Sequence, residues 1–292
     1  MPRAGTTYLY HALSAHPGFQ LPPRKELRYF SHHYLKGPDW YHRQFGQAPA
    51  GAVFADLSPD YFMHSGIASK LAAHSQTLQV AIAVRPVAEW AVSLHRHLRS
   101  FEPEIPVFAD FLVRCRYPDF KWPGRKSNPC TLDLTTGFVR KRIEEFRTAL
   151  GGRLLLYDFT AFERNPLSAV RWLEAFCSIP TALDAQTLPP HRINGRSASP
   201  RRPITYWMSR EPVAEILSRV LPRGLIMDLR RRWERPGAAV AIAAEEARDV
   251  AFARDVLSED QAYVDRLFTS EHALLGNGSP LTRKVDGAKS AN

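Results

Sequence analysis

The sequence predicts an α/β domain built around a parallel sheet. Three observations predict this class: two short, uninterrupted apolar runs of strand composition, LQVAIAV at 78–84 and RLLLYDF at 153–159; amphipathic helical spacing after each; and glycine or proline at the junctions.

The elements follow in chain order. Leu9, Ala12, Leu13 and His16 recur at helical spacing over residues 6–16, and His16-Pro17-Gly18 ends the pattern. A strand is expected at Gly51–Leu57 and a clearer one at Leu78–Val84. Between Phe101 and Pro129 the spacing becomes irregular and rich in proline, basic and aromatic residues, as in a loop or lid over a site. Val139, Ile143, Phe146 and Leu150 share one helical face, Gly151-Gly152 stops it, and a buried strand at 153–159 leads into a helix over Leu167–Phe176. Residues 205–256 are expected to be helical, with AVAIAAEEARDVAFA at 239–253 solvent-backed. A single domain over 1–275, with its helical C-terminal part at 205–275, is expected to precede a disordered tail at 276–292. The Asn277-Gly278-Ser279 sequon in that tail is read as a chance occurrence.

Composition narrows the function classes. With 45% apolar and 23% charged residues, the 292-residue chain can bury a core. No apolar run is long enough to span a bilayer. Cys115, Cys130 and Cys177 lack the spacing of a disulfide framework or zinc site, so a reducing, cytoplasmic setting is expected. A net charge of +10 favours an anionic partner. The basic residues are dispersed and no nucleic-acid motif is present, so nucleic acid is not the expected one.

The stretch PRAGTTYLYHALSAHP at 2–17 has the makings of an anion site. A turn at a helix N-terminus presents unpaired N–H donors and the positive end of the helix dipole. Gly5 allows close backbone approach, Thr6 and Thr7 add hydroxyls, and Arg3 adds a bidentate cation. These residues alone fit a threonine-capped helix equally well. The GxxxxGK[ST] pattern of a nucleoside-triphosphate loop is absent, which disfavours a small-molecule kinase.

PRAGTT is followed by KELRYF at 25–30, KGPDWY at 36–41, ADLSPDYF at 55–62 and VRPVAEWAVSLHRH at 84–97. In this order the motifs resemble those of the sulfotransferases that use 3′-phosphoadenosine-5′-phosphosulfate (PAPS), of the heparan-sulfate and bacterial type. The resemblance is dense over the first hundred residues and looser at LLLYDFTAFERNP, AFCSIP and LSEDQAYVDRLFTSEHALL. It implies a P-loop-like three-layer fold with a central parallel sheet flanked by helices. It also implies PAPS as sulfuryl donor, adenosine 3′,5′-bisphosphate as product, no metal, and a hydroxyl or amine acceptor on a glycan, lipid or small molecule. Residue by residue, it places the 5′-phosphosulfate on Arg3, Ala4, Gly5, Thr6, Thr7 and Tyr8, and the 3′-phosphate on Arg85 and Ser93. A late loop at Asn194, Gly195 and Arg196 would return to the same phosphate; a surface turn is an equal reading of that segment. Glu26 is implied as general base, with burial expected to raise its pKa and Lys25 to oppose the rise. Arg3, Lys25 and His97 are implied as cations around the sulfuryl group. The basic, aromatic segment at 114–126 fits a contact with an acidic glycan or lipid headgroup, or a solvated loop.

Departures from the family pattern bear on activity. Leu57 replaces a lysine, Trp90 replaces an arginine, Asp56 replaces a glutamate, and Pro86 lies one place early. A nucleotide-binding relative with weak or no turnover is therefore the alternative alongside the kinase. Only Met1 and Pro2 precede Arg3, where this fold hangs the anion loop from its central strand. The expectation is a further apolar strand encoded upstream.

Overall fold

The computed structural model describes residues 1–100, 105–114, 134–135, 137–189, 239–269 and 271–281. Within them the chain is mixed α/β: ten helices, named α1 to α10 below, surround two small sheets.

The N-terminal third opens with α1 (Thr6–Ser14), whose buried face is Tyr8, Leu9, Ala12 and Leu13. His16 follows at the expected spacing and is buried; its Nδ1 accepts from the Gly18 amide at 2.9 Å, so Nε2 carries the proton donated to Glu174 at 3.0 Å. That bond fastens the end of α1 to a helix 158 residues away. β1 (Phe19–Gln20) then pairs in parallel with β2 (Val53–Phe54), Phe19 opposite Val53. The strand expected over residues 51–57 is thus limited to two residues, the length of its partner β1, and a 3₁₀ segment follows at Pro59–Met63. Between these strands lie a π turn at Tyr29–His33 and α2 (Gly37–Arg43). α3 (Ile67–His74) leads to the second sheet.

In that sheet β3 (Val80–Val84) runs parallel to β4 (Leu154–Asp158), with Val80 opposite Leu154 and Val84 opposite Asp158. β4 reads Leu-Leu-Leu-Tyr without alternation because all four residues are buried, as in a strand covered on both faces. β5 (Ala273–Leu275) then pairs antiparallel to β4. The parallel pairing expected of the central sheet is thus present in both small sheets, with one antiparallel edge strand in the second. β5 lies where a C-terminal helix was expected to continue. Residues 276–281 turn back on β5, the Leu281 amide bonding to Ala273 O at 3.1 Å.

Around the sheets, α4 (Val87–Arg99) follows β3 directly, and α5 (Phe108–Arg114) forms inside the stretch read as irregular. α6 (Phe138–Leu150) buries the four residues predicted for its face and ends at Gly151. α7 (Phe159–Arg164) is capped by Asp158, whose side chain accepts from the Thr160 amide. α8 (Pro166–Phe176) starts with proline in its first turn, where a missing N–H costs nothing. α9 (Ala239–Val256) packs on α4, and α10 (Ser258–Leu267) closes against α6. Asp260 on α10 accepts from the Val139 and Arg140 amides at 2.9 and 3.1 Å, capping α6 across the chain. The core centres on Trp90, which is fully buried and stacks on Phe138 at 6.1 Å, beside Phe62 and Phe146. No helix among the described residues is long and apolar enough to cross a membrane.

Candidate functional site

The turn before α1 is held from three sides. Met1 lies along β3, its amino nitrogen 3.2 Å from Ala83 O and its Sδ 3.4 Å from the Arg85 amide. Beneath it, the Trp90 indole N–H donates to Pro2 O at 3.1 Å. On the far side Gly5 faces the Phe162 ring of α7 so closely that a Cβ at Gly5 would sit 2.1 Å from Cε1. Gly5 has φ +76° and forms the left-handed N-cap of α1. Glycine is therefore required here twice over, by backbone conformation and by space. The first helical amides, those of Thr6, Thr7 and Tyr8, have no carbonyl within the helix to reach.

Two arginines converge on this turn. Arg85, at the carboxyl end of β3, donates through Nη1 to Arg3 O at 3.0 Å and lies over the Phe159 ring at 5.1 Å. Arg3 turns its guanidinium toward α4, with Nε 3.4 Å from Ser93 Oγ. Among the described residues neither arginine forms a salt bridge. Burial pulls the Arg85 pKa below its ordinary value; Glu163 opposes the shift and the nearby Arg3 adds to it. The turn before α1, the end of β3 and α4 thus bring two guanidinium groups without a salt bridge among the described residues, and a hydroxyl, to one helix N-terminus. Arg3 and Ser93, read from the sequence as contacts to opposite ends of one nucleotide, touch in the structure. His97 is half-buried one turn beyond Ser93 on the same face of α4.

The remaining predicted residues take different positions. Ala4 is fully buried, so only its backbone can meet a ligand. Tyr8 is buried against Phe162, and its hydroxyl donates to Pro189 O at 3.1 Å. Asn194, Gly195 and Arg196 lie outside the described residues, as do most of 114–126 and all of 205–238.

Lys25 and Glu26 form a second cluster, tied to α1 by the Tyr10 hydroxyl, which is shared between Pro22 O and Pro23 O at 2.8 and 3.0 Å. Glu26 is clamped by Lys25 Nζ at 2.5 Å and Arg28 Nη2 at 3.0 Å. Burial pushes the Glu26 carboxyl up, but these two cations outweigh it and hold the pKa below the ordinary carboxylate value. This corrects the expectation of a raised pKa, because the sequence reading weighed Lys25 and missed Arg28. Glu26 and Arg28 both have left-handed backbone, with φ +65° and +53°; Arg3 and Ser178 are the other non-glycine residues of this kind among those described. Such conformations cost about 1–2 kcal/mol for a residue with a Cβ. Three of the four fall in these two clusters.

That strained loop is braced by a buried network. Ser58 Oγ accepts from the Arg28 amide at 3.0 Å and donates to Asp56 Oδ1 at 2.6 Å. Asp56 Oδ2 accepts from Tyr61 at 2.6 Å and from Tyr41 at 3.5 Å. Burial raises the Asp56 pKa despite the bonds from Ser58, Tyr61 and the Leu27 amide, and burial together with Asp56 raises those of Tyr41 and Tyr61. Leu57 packs against the core. Two residues read from the sequence as departures, Asp56 and Trp90, are thereby assigned structural work: one orients the Glu26 loop, the other carries the Arg3 turn.

No protein-family model matches the chain, and no curated protein matches it. Among solved structures it is similar to a sulfotransferase from Alicyclobacillus acidocaldarius, with a TM-score of 0.51 and 21% identity over 75% of this chain and 90% of that one. At this identity the likeness shows a shared fold.

Proposed function

We propose that the protein is a sulfotransferase that takes its sulfuryl group from PAPS and passes it to a hydroxyl or amine acceptor. The observation that carries the reading is the pair Arg3 and Arg85, two guanidinium groups without a salt-bridged carboxylate among the described residues, set at the N-terminus of α1 beside Ser93. A nucleotide with two anionic groups supplies the charge this arrangement lacks. Glycine at position 5 lets the turn pack on Phe162, and the first amides of α1 are left to meet the phosphates. The shared fold with a sulfotransferase points the same way.

In this reading Arg3 and the amides of Gly5, Thr6 and Thr7 hold the 5′-phosphosulfate, and Arg85 and Ser93 hold the 3′-phosphate. Asn194, Gly195 and Arg196 are retained as further contacts to that phosphate. The acceptor heteroatom forms its bond to sulfur as the bond from sulfur to the bridging phosphate oxygen breaks, and its proton passes to Glu26. Lys25 and Arg28 keep Glu26 ionised and therefore able to accept that proton. The depressed pKa makes it a weak base, which suits a transition state where proton transfer lags behind cleavage. Lys25, Arg3 and His97 balance the negative charge developing on the leaving oxygen. No step calls for a metal.

The test is transfer of labelled sulfate from PAPS across glycans, lipids and phenols. Sulfation of one acceptor class, lost in Glu26→Gln with nucleotide affinity kept, supports the reading. Selective use of ATP with magnesium instead would overturn it in favour of a kinase.

A further inference from the structure

Outside both clusters, His32, Asp60 and His64 converge. One ring nitrogen from each histidine and one Asp60 oxygen lie within 4.8 Å of one another. His32 comes from the π turn at Tyr29–His33, Asp60 from the 3₁₀ segment at Pro59–Met63, and His64 from the residue after it. The two imidazoles meet nearly edge to face, centroids 5.5 Å apart. The carboxylate is only half used. Asp60 Oδ2 accepts from Ser31 Oγ at 2.6 Å, while Oδ1 is buried and has no hydrogen-bond partner among the described residues. A buried carboxylate oxygen without a donor is costly and calls for a missing partner.

We propose that His32, Asp60 and His64 bind a first-row divalent cation, Zn²⁺ in preference. Two imidazoles and a carboxylate are a nitrogen and oxygen set that suits this ion, with water as fourth ligand. Tetrahedral bonds of about 2.0–2.1 Å place ligand atoms about 3.3 Å apart, so the triad must close by up to about 1.5 Å. His32, exposed and hydrogen-bonded to Ser31 Oγ, gives up that bond as it makes most of the movement. An outer-shell contact is present at the carboxylate, where Ser31 Oγ donates to Asp60 Oδ2 at 2.6 Å. Arg28 and Lys70 repel a cation, but Arg28 is paired with Glu26 and Lys70 lies over the Tyr34 ring at 4.9 Å. Bound metal would clamp the π turn to the segment that carries Tyr61, and so stiffen the loop of Glu26 and Arg28.

The test uses the full chain after chelator treatment, titrated with Co²⁺ and followed by its visible d–d bands, then displaced with Zn²⁺. One equivalent is expected to bind, with the melting temperature rising as it does. His32→Ala, a change at an exposed position, is expected to weaken Co²⁺ by at least about tenfold, and His64→Ala to abolish the bands. Circular dichroism shows whether each variant is folded. Absence of saturable uptake by the wild type would overturn the assignment. So would less than about a tenfold loss in folded His32→Ala, since the metal would then sit elsewhere among the 11 histidines.

Discussion

Gly5 and Gly66 have almost the same backbone, which makes them a matched pair. Each is the left-handed N-cap of a helix, with φ +76° and ψ 7° at Gly5 against φ +75° and ψ −5° at Gly66. Their surroundings differ completely: a Cβ at Gly66 meets nothing within 4 Å, whereas one at Gly5 would lie 2.1 Å from Phe162 Cε1 and 2.8 Å from Cζ. Alanine at either position takes on left-handed strain of about 1–2 kcal/mol. At Gly5 the ring must also move, and overpacking of this kind adds about 1–3 kcal/mol. Gly5→Ala is therefore expected to be less stable than Gly66→Ala by about 1–3 kcal/mol in urea denaturation. Phe162→Leu removes the obstructing ring edge, so the double variant should recover most of the difference, giving a clear coupling energy. Because the displaced ring supports the anion turn, adenosine 3′,5′-bisphosphate should also bind Gly5→Ala more weakly while binding Gly66→Ala normally. If the two glycine variants agree within about 0.5 kcal/mol, the limit of additivity for independent sites, the close packing of Gly5 on Phe162 is refuted.

Other consequences can be checked alongside. Arg85→Lys keeps the charge but loses the planar fork that reaches Arg3 O and, in the proposed function, a phosphate, and should weaken nucleotide binding about tenfold by calorimetry, with Arg85→Ala weaker still. Trp90→Phe keeps the stack on Phe138 and removes the donor to Pro2 O, for a loss of about 1–3 kcal/mol read from chemical denaturation. Glu26 has a folded pKa below its unfolded value, so its ion pairs stabilise the protein above the ordinary carboxylate range, and that contribution disappears as pH falls through the folded pKa. The stability gap between wild type and Glu26→Gln should accordingly close on acidification; a gap that widens would contradict the ion-paired geometry.

What the sequence reveals and what it hides follow from the range of the interactions involved. β3, β4 and the buried faces of α1 and α6 were legible because each is dictated by its own apolar spacing. β5 was not: Ala273-Leu274-Leu275 is too short to show a period, and it is extended only because β4 offers it an edge. β2 shrank to two residues for the related reason that a strand's length is set by its partner. In the candidate site, Arg3, Gly5 and Arg85 could be named from residue type and motif order. The contact between Arg3 and Ser93 could not, since it joins residues 90 apart in the chain. Arg28 was missed as a partner of Glu26 because the left-handed backbone at both residues, which brings them together, has no glycine to announce it. Trp90 looked like the loss of a cation, and only the fold reveals its indole N–H beneath Pro2.

Isothermal titration of the folded chain with adenosine 3′,5′-bisphosphate tests the central claim most directly. Saturable binding at one site is predicted, weakening as salt rises and falling by at least about tenfold in Arg85→Ala. A folded sample that takes up no nucleotide, or an Arg85→Ala variant that binds as the wild type does, would contradict the account.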